Sequence, residues 1–320
     1  MPGIKELKTR IKSIQGTRKV TRAMQLVSAA KMRKAQDATL KSRTYSTLAW
    51  ELILNLAGQA NASVAEGLEA ADDNILNEED RRHSLMEQVA QLLTTFPDAK
   101  KIAILILSTN RGMVGGLNTN LLGEVEKICK DTSLEVDMIT CGRKAREWMV
   151  RGHKQILADF EKFDRSITPQ DIFPIAKLVR DIYNTGQYQK VLIVYNHFVS
   201  TLSQEPRVKQ LLPFGRSLTD DRDAKSKQPA KDEQLTDYLF EPDPQAVLNH
   251  LLPRIIESQI YQTILESEAS EQSARMVMMK NATEAAGDLI SDLTLTFNKL
   301  RQNKITTELA EITAGKIALE

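Results

Sequence analysis

The sequence predicts an α/β protein of two parts: a long antiparallel two-helix coiled coil built from the N- and C-termini, and a small three-layer, Rossmann-like α/β domain inserted in its middle. Three observations carry this. Ser273–Glu320 holds no proline and repeats apolar residues in steps of three and four, as one face of a helix does. Residues 3–57 carry a similar stripe. Between the two ends, short near-continuous apolar runs alternate with helical patterns, the signature of buried parallel strands. The expected boundaries are 1–57 for the first shaft helix, 58–97 for an acidic connector, 98–214 for the α/β domain, 215–240 for a linker and 241–320 for the second shaft helix.

The first helix starts with Ile4, Leu7, Ile11 and Ile14 and then passes through Thr17, Thr21, Met24 and Ser28. The step from Ile14 to Thr17 is three where four is due, a local overwinding of a heptad pattern. The second helix places Ala282, Ala286, Leu289, Leu293, Phe297 and Leu300 on its expected seam, then Ile305, Leu309 and Ile312. Extended back to about Gln245, it is about 75 residues or roughly 110 Å long. With level bases, residue 57 faces about residue 246 and the N-terminus reaches about residue 299 at equal rise per residue. The last twenty or so residues then project alone. An isolated helix of that length is marginal in water, and its apolar stripe calls for a surrounding partner.

The connector 58–97 is small and acidic, with Ser84–Leu93 as a short helix. Lys101–Ser108 is a strand buried on both faces, Thr109–Asn118 a glycine loop and Thr119–Lys130 a helix. Leu134–Thr140 is a strand, Arg143–Arg151 a helix and Gln155–Phe160 an edge strand. Pro169–Tyr183 is a helix with proline in its first turn and Gly186 past its end. Val191–Asn196 and Val208–Phe214 complete the strands. Residues 215–234 are polar and aperiodic, and Glu241-Pro-Asp-Pro leads into the long helix.

Composition excludes several functions. The chain of 320 residues is 42% hydrophobic and only 5% aromatic, enough apolar content for two domains. Its net charge of +1 hides an asymmetry: residues 1–43 hold twelve Lys/Arg against Glu6 and Asp37, while residues 44–99 hold ten Asp/Glu against Arg81 and Arg82. No apolar run is long enough to span a membrane, and the absence of a secretory signal predicts a cytosolic start. Cys129 and Cys141 form no CxxC and are expected to be reduced and structural. Gly112, Gly115 and Gly116 lack phosphate-loop spacing. His83, His153, His197 and His250 lack metal-ligand spacing. No catalytic residue, cofactor site or metal site is therefore expected. The basic first helix is interrupted by apolar residues at core spacing, so an acidic protein partner fits it better than nucleic acid. Three alternatives stay open on the residues alone: a coiled-coil scaffold, a basic nucleic-acid-binding protein and a nucleotide-binding α/β enzyme.

The opening PGIKELKTRIKSIQGTRKVTRAMQLVSAAKMRKAQ (2–36) resembles the start of the gamma subunit of rotary ATP synthases. So do STNRGMVGGLN (108–118), YLFEPDP (238–244), SQIYQTILESEASEQSARMVMMKNAT (258–283) and FNKLRQNKITTELAEITAG (297–315). The resemblance implies a non-catalytic central rotor of the proton-translocating F-type enzyme. Its C-terminal helix would turn inside a ring of alpha and beta subunits, and its α/β domain would sit against the epsilon subunit and the c-subunit ring. It implies rotor–stator contacts at Gln302, Thr306, Glu308 and Glu311, a coupling region with Met24 and Arg275, and Lys31, Arg33 and Lys34 facing acidic loops of beta. It implies no cofactor, no metal, no nucleic acid and only indirect membrane association. Val114 stands where the family often has cysteine, and the plant-type cysteine pair is absent after Phe214, so thiol regulation is not expected. A chain opening on the family motif without a transit peptide implies the cytoplasmic face of a bacterial inner membrane.

Overall fold

The computed structural model describes residues 3–66, 92, 96–162, 167–213 and 244–317. Two helices frame the chain: α1, Ile4–Glu66, and a C-terminal helix, Pro244–Ile317. Between them lie β1 (Lys101–Leu107), α2 (Leu117–Asp131), β2 (Glu135–Cys141), α3 (Arg143–Arg151), β3 (Ile156–Phe160), α4 (Pro169–Asn184), β4 (Tyr188–Phe198) and β5 (Gln204–Leu212). The C-terminal helix is α5. α1 runs nine residues past the expected end at 57, so the first part of the expected connector is helical. The rest of that connector, apart from Leu92 and residues 96 onward, lies outside the described residues, as does the linker 215–240. α5 starts on Pro244, where a missing N–H costs no helical bond.

Two compact units divide the chain: Met1–Lys31 with Met113–Gly115 and Gln272–Glu320, and Met32–Gly112 with Gly116–Glu271.

In the first unit the two helices run antiparallel. The hydroxyl oxygens of Thr21 and Thr283 lie 2.8 Å apart. A Cβ placed on Gly287 would lie 3.6 Å from the Arg18 guanidinium carbon. Thr21 thus faces Thr283 and Arg18 faces Gly287, and carried on from the second pair at equal rise Ile4 reaches about residue 301. Buried and half-buried positions on α5 are Met279, Thr283, Ala286, Ile290, Leu293, Phe297 and Leu300, an unbroken heptad. Ala282 is half-buried beside Thr283, while Ile290 holds the seam in place of Leu289, which is 52% exposed. On α1 the buried and half-buried positions include Ile4, Leu7, Ile11, Ile14, Thr21, Gln25 and Ser28, with the exposed Arg18 between Ile14 and Thr21. Thr17 and Arg18 are both exposed, but it is Arg18 whose guanidinium lies beside Gly287, so the inner face continues from Ile14 through position 18 to Thr21 and the expected step to Thr17 is absent. The seam passes through polar residues, which is why apolar counting lost its phase.

Ala286 is buried at this seam. Ala286→Trp should overpack it at a cost of about 1–3 kcal/mol, read as a lower thermal midpoint of helical circular dichroism. An unchanged midpoint would put Ala286 outside the seam.

The second unit contains a five-stranded sheet in the order β3-β2-β1-β4-β5. β1 pairs in parallel with β2 and with β4, β2 in parallel with β3, and β5 is antiparallel to β4. β5 begins four residues earlier than the expected 208 and carries Pro206, tolerated on an edge strand. One sheet face packs Ile102, Ile104 and Ile106 against Leu121, Val125, Ala145 and Met149 of α2 and α3. The other packs Ala103, Leu105 and Leu107 against Ile172, Ile175 and Val179 of α4. It also packs against Leu252, Ile255, Ile256, Ile260 and Ile264 of α5. The base of the expected shaft helix is thus a core layer of the α/β unit. Leu92 is fully buried there, and Phe96 packs its ring 5.4 Å from that of Tyr183, so the connector's end is not solvated. α4 opens with a capping box in which Asp171 accepts from the Thr168 N–H.

Candidate functional site

In an open α/β sheet, ligands bind beyond the C-terminal ends of the strands, where the strand order reverses. Here that point lies between β1 and β4, and the chain itself fills it. Ser270 of α5 donates to the backbone carbonyl of Asn196 at 2.8 Å. Asn196 is in register with Pro206, which has no N–H to give it, so the serine stands in for a ladder partner. His197 Nδ1 meets Glu266 at 2.8 Å. Burial works to raise the Glu266 pKa, but His197 and Lys209 outweigh it and hold the carboxyl below its usual range.

The segment after β3 makes the other tie. Lys162, 5% exposed, places Nζ 2.6 Å from Glu271 and 3.1 Å from Glu268. Burial alone would lower the lysine's pKa; the two carboxylates more than offset this, and it is raised. The Lys162 carbonyl accepts from Asn110 Nδ2, and Asn110 Oδ1 accepts from the Arg143 N–H.

The glycine loop after β1 is also tied from within. Asn118 accepts from the Thr109 N–H at 3.3 Å and donates to Thr109 Oγ1 at 2.8 Å. Thr109 Oγ1 in turn donates to the Arg111 carbonyl at 2.8 Å. In the first unit, Gly115 takes a positive φ of 61°, and a Cβ there would sit 3.3 Å from Met278 Sδ. This glycine thus serves close packing. Among the described residues no group of His, Cys, Asp and Glu could hold a metal. Both thiols are free; burial pushes Cys141 up to about 11 and also raises Cys129, which favours the inert protonated form. Among the described residues no helix is long and apolar enough to cross a membrane.

Of the sequence-derived contact residues, Gln302, Thr306, Glu308 and Glu311 lie on the exposed end of α5. Every residue from 301 to 314 is exposed, including Ile305, Leu309 and Ile312 at 44%, 59% and 69%. Thr306 Oγ1 donates to the Gln302 carbonyl at 2.9 Å, and Glu308 pairs loosely with Lys304 at 3.6 Å. Lys31, Arg33 and Lys34 are exposed on α1, and Met24 is half-buried beside the seam. Arg275, expected in the coupling region, is 7% exposed. Sequence reading gave Lys162 and Glu268 no role, and weighed His197 only as a metal ligand. The one available signal was the run of small and charged residues from Glu266 to Ser273 inside an otherwise apolar helix.

The ATP synthase family model matches residues 3–319. The ATP synthase gamma chain of Haemophilus influenzae (strain 86-028NP) is 38% identical over 324 residues, covering all of both chains. That of Legionella pneumophila (strain Corby) is 36% identical over 322 residues, again with full coverage of both. A solved Euglena gracilis mitochondrial ATP synthase rotor shares the fold, with a TM-score of 0.57 and 19% identity, over 94% of this chain and 98% of that one.

Proposed function

The chain belongs to the ATP synthase gamma-chain family, and from that premise we propose how it works as the central-stalk rotor. It is a subunit of an ATP-synthesising, membrane-associated complex with alpha, beta, epsilon and c-ring partners. The subunit itself does no chemistry. It sits at the cytoplasmic face of the bacterial cell membrane and couples proton flow to the alpha–beta head by rotation. One ion crossing 100 mV yields only about 2.3 kcal/mol, so several crossings are pooled and carried by the shaft. An asymmetric shaft makes different contacts with otherwise equivalent subunits of the head and shifts each toward a different state.

The observation that carries this reading is the tip. Residues 301–314 are helical, carry an apolar stripe and touch nothing that buries them. A free helix of this length is marginal, which supports a tip held by a surrounding ring. Gln302, Thr306, Glu308 and Glu311 are the tip groups proposed to meet it. Lys31, Arg33 and Lys34 offer positive charge to acidic loops, and Met24 and Arg275 belong to the coupling region, Arg275 from a buried position. The test is ATP hydrolysis and ion pumping by a complex carrying Gln302→Ala and Thr306→Ala. Each lost hydrogen bond is worth about 0.5–1.5 kcal/mol, so turnover should fall about tenfold to a hundredfold, while thermal melts of the lone subunit stay unchanged. Normal turnover would reduce the tip to a passive bearing, and a large stability loss in the lone subunit would show that it packs on its own chain.

A further inference from the structure

We propose that the opposed polar ties on α5 form a torque clamp, with Lys162 as a positioning residue of rotary coupling; this rests on the rotor reading above. The apolar contact of α5 with the sheet ends at Ile264. Directional ties follow at once. Glu266 meets His197, Ser270 meets the Asn196 carbonyl, and Glu268 and Glu271 both meet Lys162. At about 100° per residue, Glu266 and Ser270 lie within about 40° of each other, and Glu268 and Glu271 within about 60°. The centres of the two pairs lie about 150° apart around the helix, one on each flank of its sheet-facing stripe.

This arrangement has a mechanical meaning. An apolar stripe resists separation but is non-directional, so it resists rolling of a helix in its seat only weakly. Hydrogen bonds and ion pairs have preferred angles and lengths, and a pair on each flank opposes rolling in both senses. The seat is also anchored behind the lysine. The Lys162 carbonyl is held by Asn110, which also takes the first N–H of α3. Torque arriving along α5 therefore passes to β4 on one flank and to the β1 and β3 exits on the other.

The clamp is tested in the full membrane complex carrying Lys162→Met, Glu268→Gln and Glu271→Leu. Apolar groups of similar volume generally replace a buried ion cluster without loss of folding. ATP hydrolysis should stay within about twofold of wild type, while ions moved per ATP fall about fivefold or more, with slippage growing as the opposing gradient builds. Loss of a merely structural contact would lower both rates together and leave the ratio unchanged at every gradient; that result overturns the clamp. Lys162→Arg with the carboxylates intact should restore the ratio. If the triple variant does not assemble, Glu266→Gln with Ser270→Ala loosens the other flank and must show the same load-dependent slip. A wild-type chain that fails to restore ATP-driven ion uptake to a gamma-less complex would bring down the rotor reading itself.

Discussion

Gly142→Ala should destabilise the α/β unit by roughly 2–6 kcal/mol, through backbone strain of about 1–3 kcal/mol and a steric clash of similar size. Gly142 joins β2 to α3 at φ 103°, ψ 146°, a conformation essentially reserved for glycine. A Cβ there would lie 2.6 Å from the Ser108 carbonyl oxygen and 3.0 Å from its carbon. Those are backbone atoms at the end of the central strand, and they cannot swing aside. The same corner is knotted by hydrogen bonds. The Ser108 N–H donates to the Cys141 carbonyl, Ser108 Oγ donates to the Gly142 carbonyl and accepts from the Ala145 N–H, and the Gly142 N–H donates to the Phe160 carbonyl. Any shift that relieves the clash breaks one of these. Urea unfolding followed by tryptophan fluorescence reports the site, because Trp148 lies on α3; Trp50→Phe removes the other indole. Gly112→Ala is the internal control. It has negative φ and nothing within 4 Å of its added carbon, so its effect should stay within about 0.5 kcal/mol. Equal effects at both positions would refute the steric argument.

The contrast between these glycines marks what a sequence can carry. The glycine loop drew attention because loops after strands bind phosphates, yet the glycine under greatest constraint is a solitary one in Cys141-Gly-Arg. The strands were legible because Lys101–Ser108 and Val191–Asn196 are apolar on both faces, and the unpartnered tip because two helix lengths differ. That offset is a count of residues and survives errors of phase. The phase itself was not legible. Thr21, Gln25, Ser28 and Thr283 hold the seam with polar side chains, while Leu289 is apolar and faces water, so the apolar pattern slipped by one residue. The seat of α5 was hidden for the opposite reason. Between Leu252 and Arg275 the helix is buried on most sides, with Gln259, Thr263, Ser267 and Ser270 inside. No single face therefore stands out. Lys162 had no signal at all: one lysine after an edge strand, whose partners lie more than a hundred residues away.

That lysine leads to the other large effect. Lys162→Ala should cost about 3–5 kcal/mol, because it removes the buried cation that both Glu268 and Glu271 meet, in a site where Glu271 is 7% exposed. The loss belongs to the carboxylates kept in the site more than to the missing attraction, since removing the whole cluster is a milder change than halving it. Lys162→Met with Glu268→Gln and Glu271→Leu should therefore lie near wild type, within about 1 kcal/mol. The difference between single and triple variants, measured by urea unfolding of the lone subunit, isolates the cost of leaving both buried carboxylates without the lysine. The sign of the pH dependence follows from the raised lysine pKa. A group whose folded value lies above its unfolded one contributes fully at every pH below the unfolded value of about 10.5, and its contribution is lost as pH climbs through the higher folded value. Wild type should thus keep the lysine's share of stability from neutral pH to about 10 and shed it only beyond. Removal of the share at pH 7 to 9 would show that Lys162 is neutral in the folded chain. The seat would then be held by hydrogen bonds from an uncharged amine, and the large loss expected of Lys162→Ala would not follow.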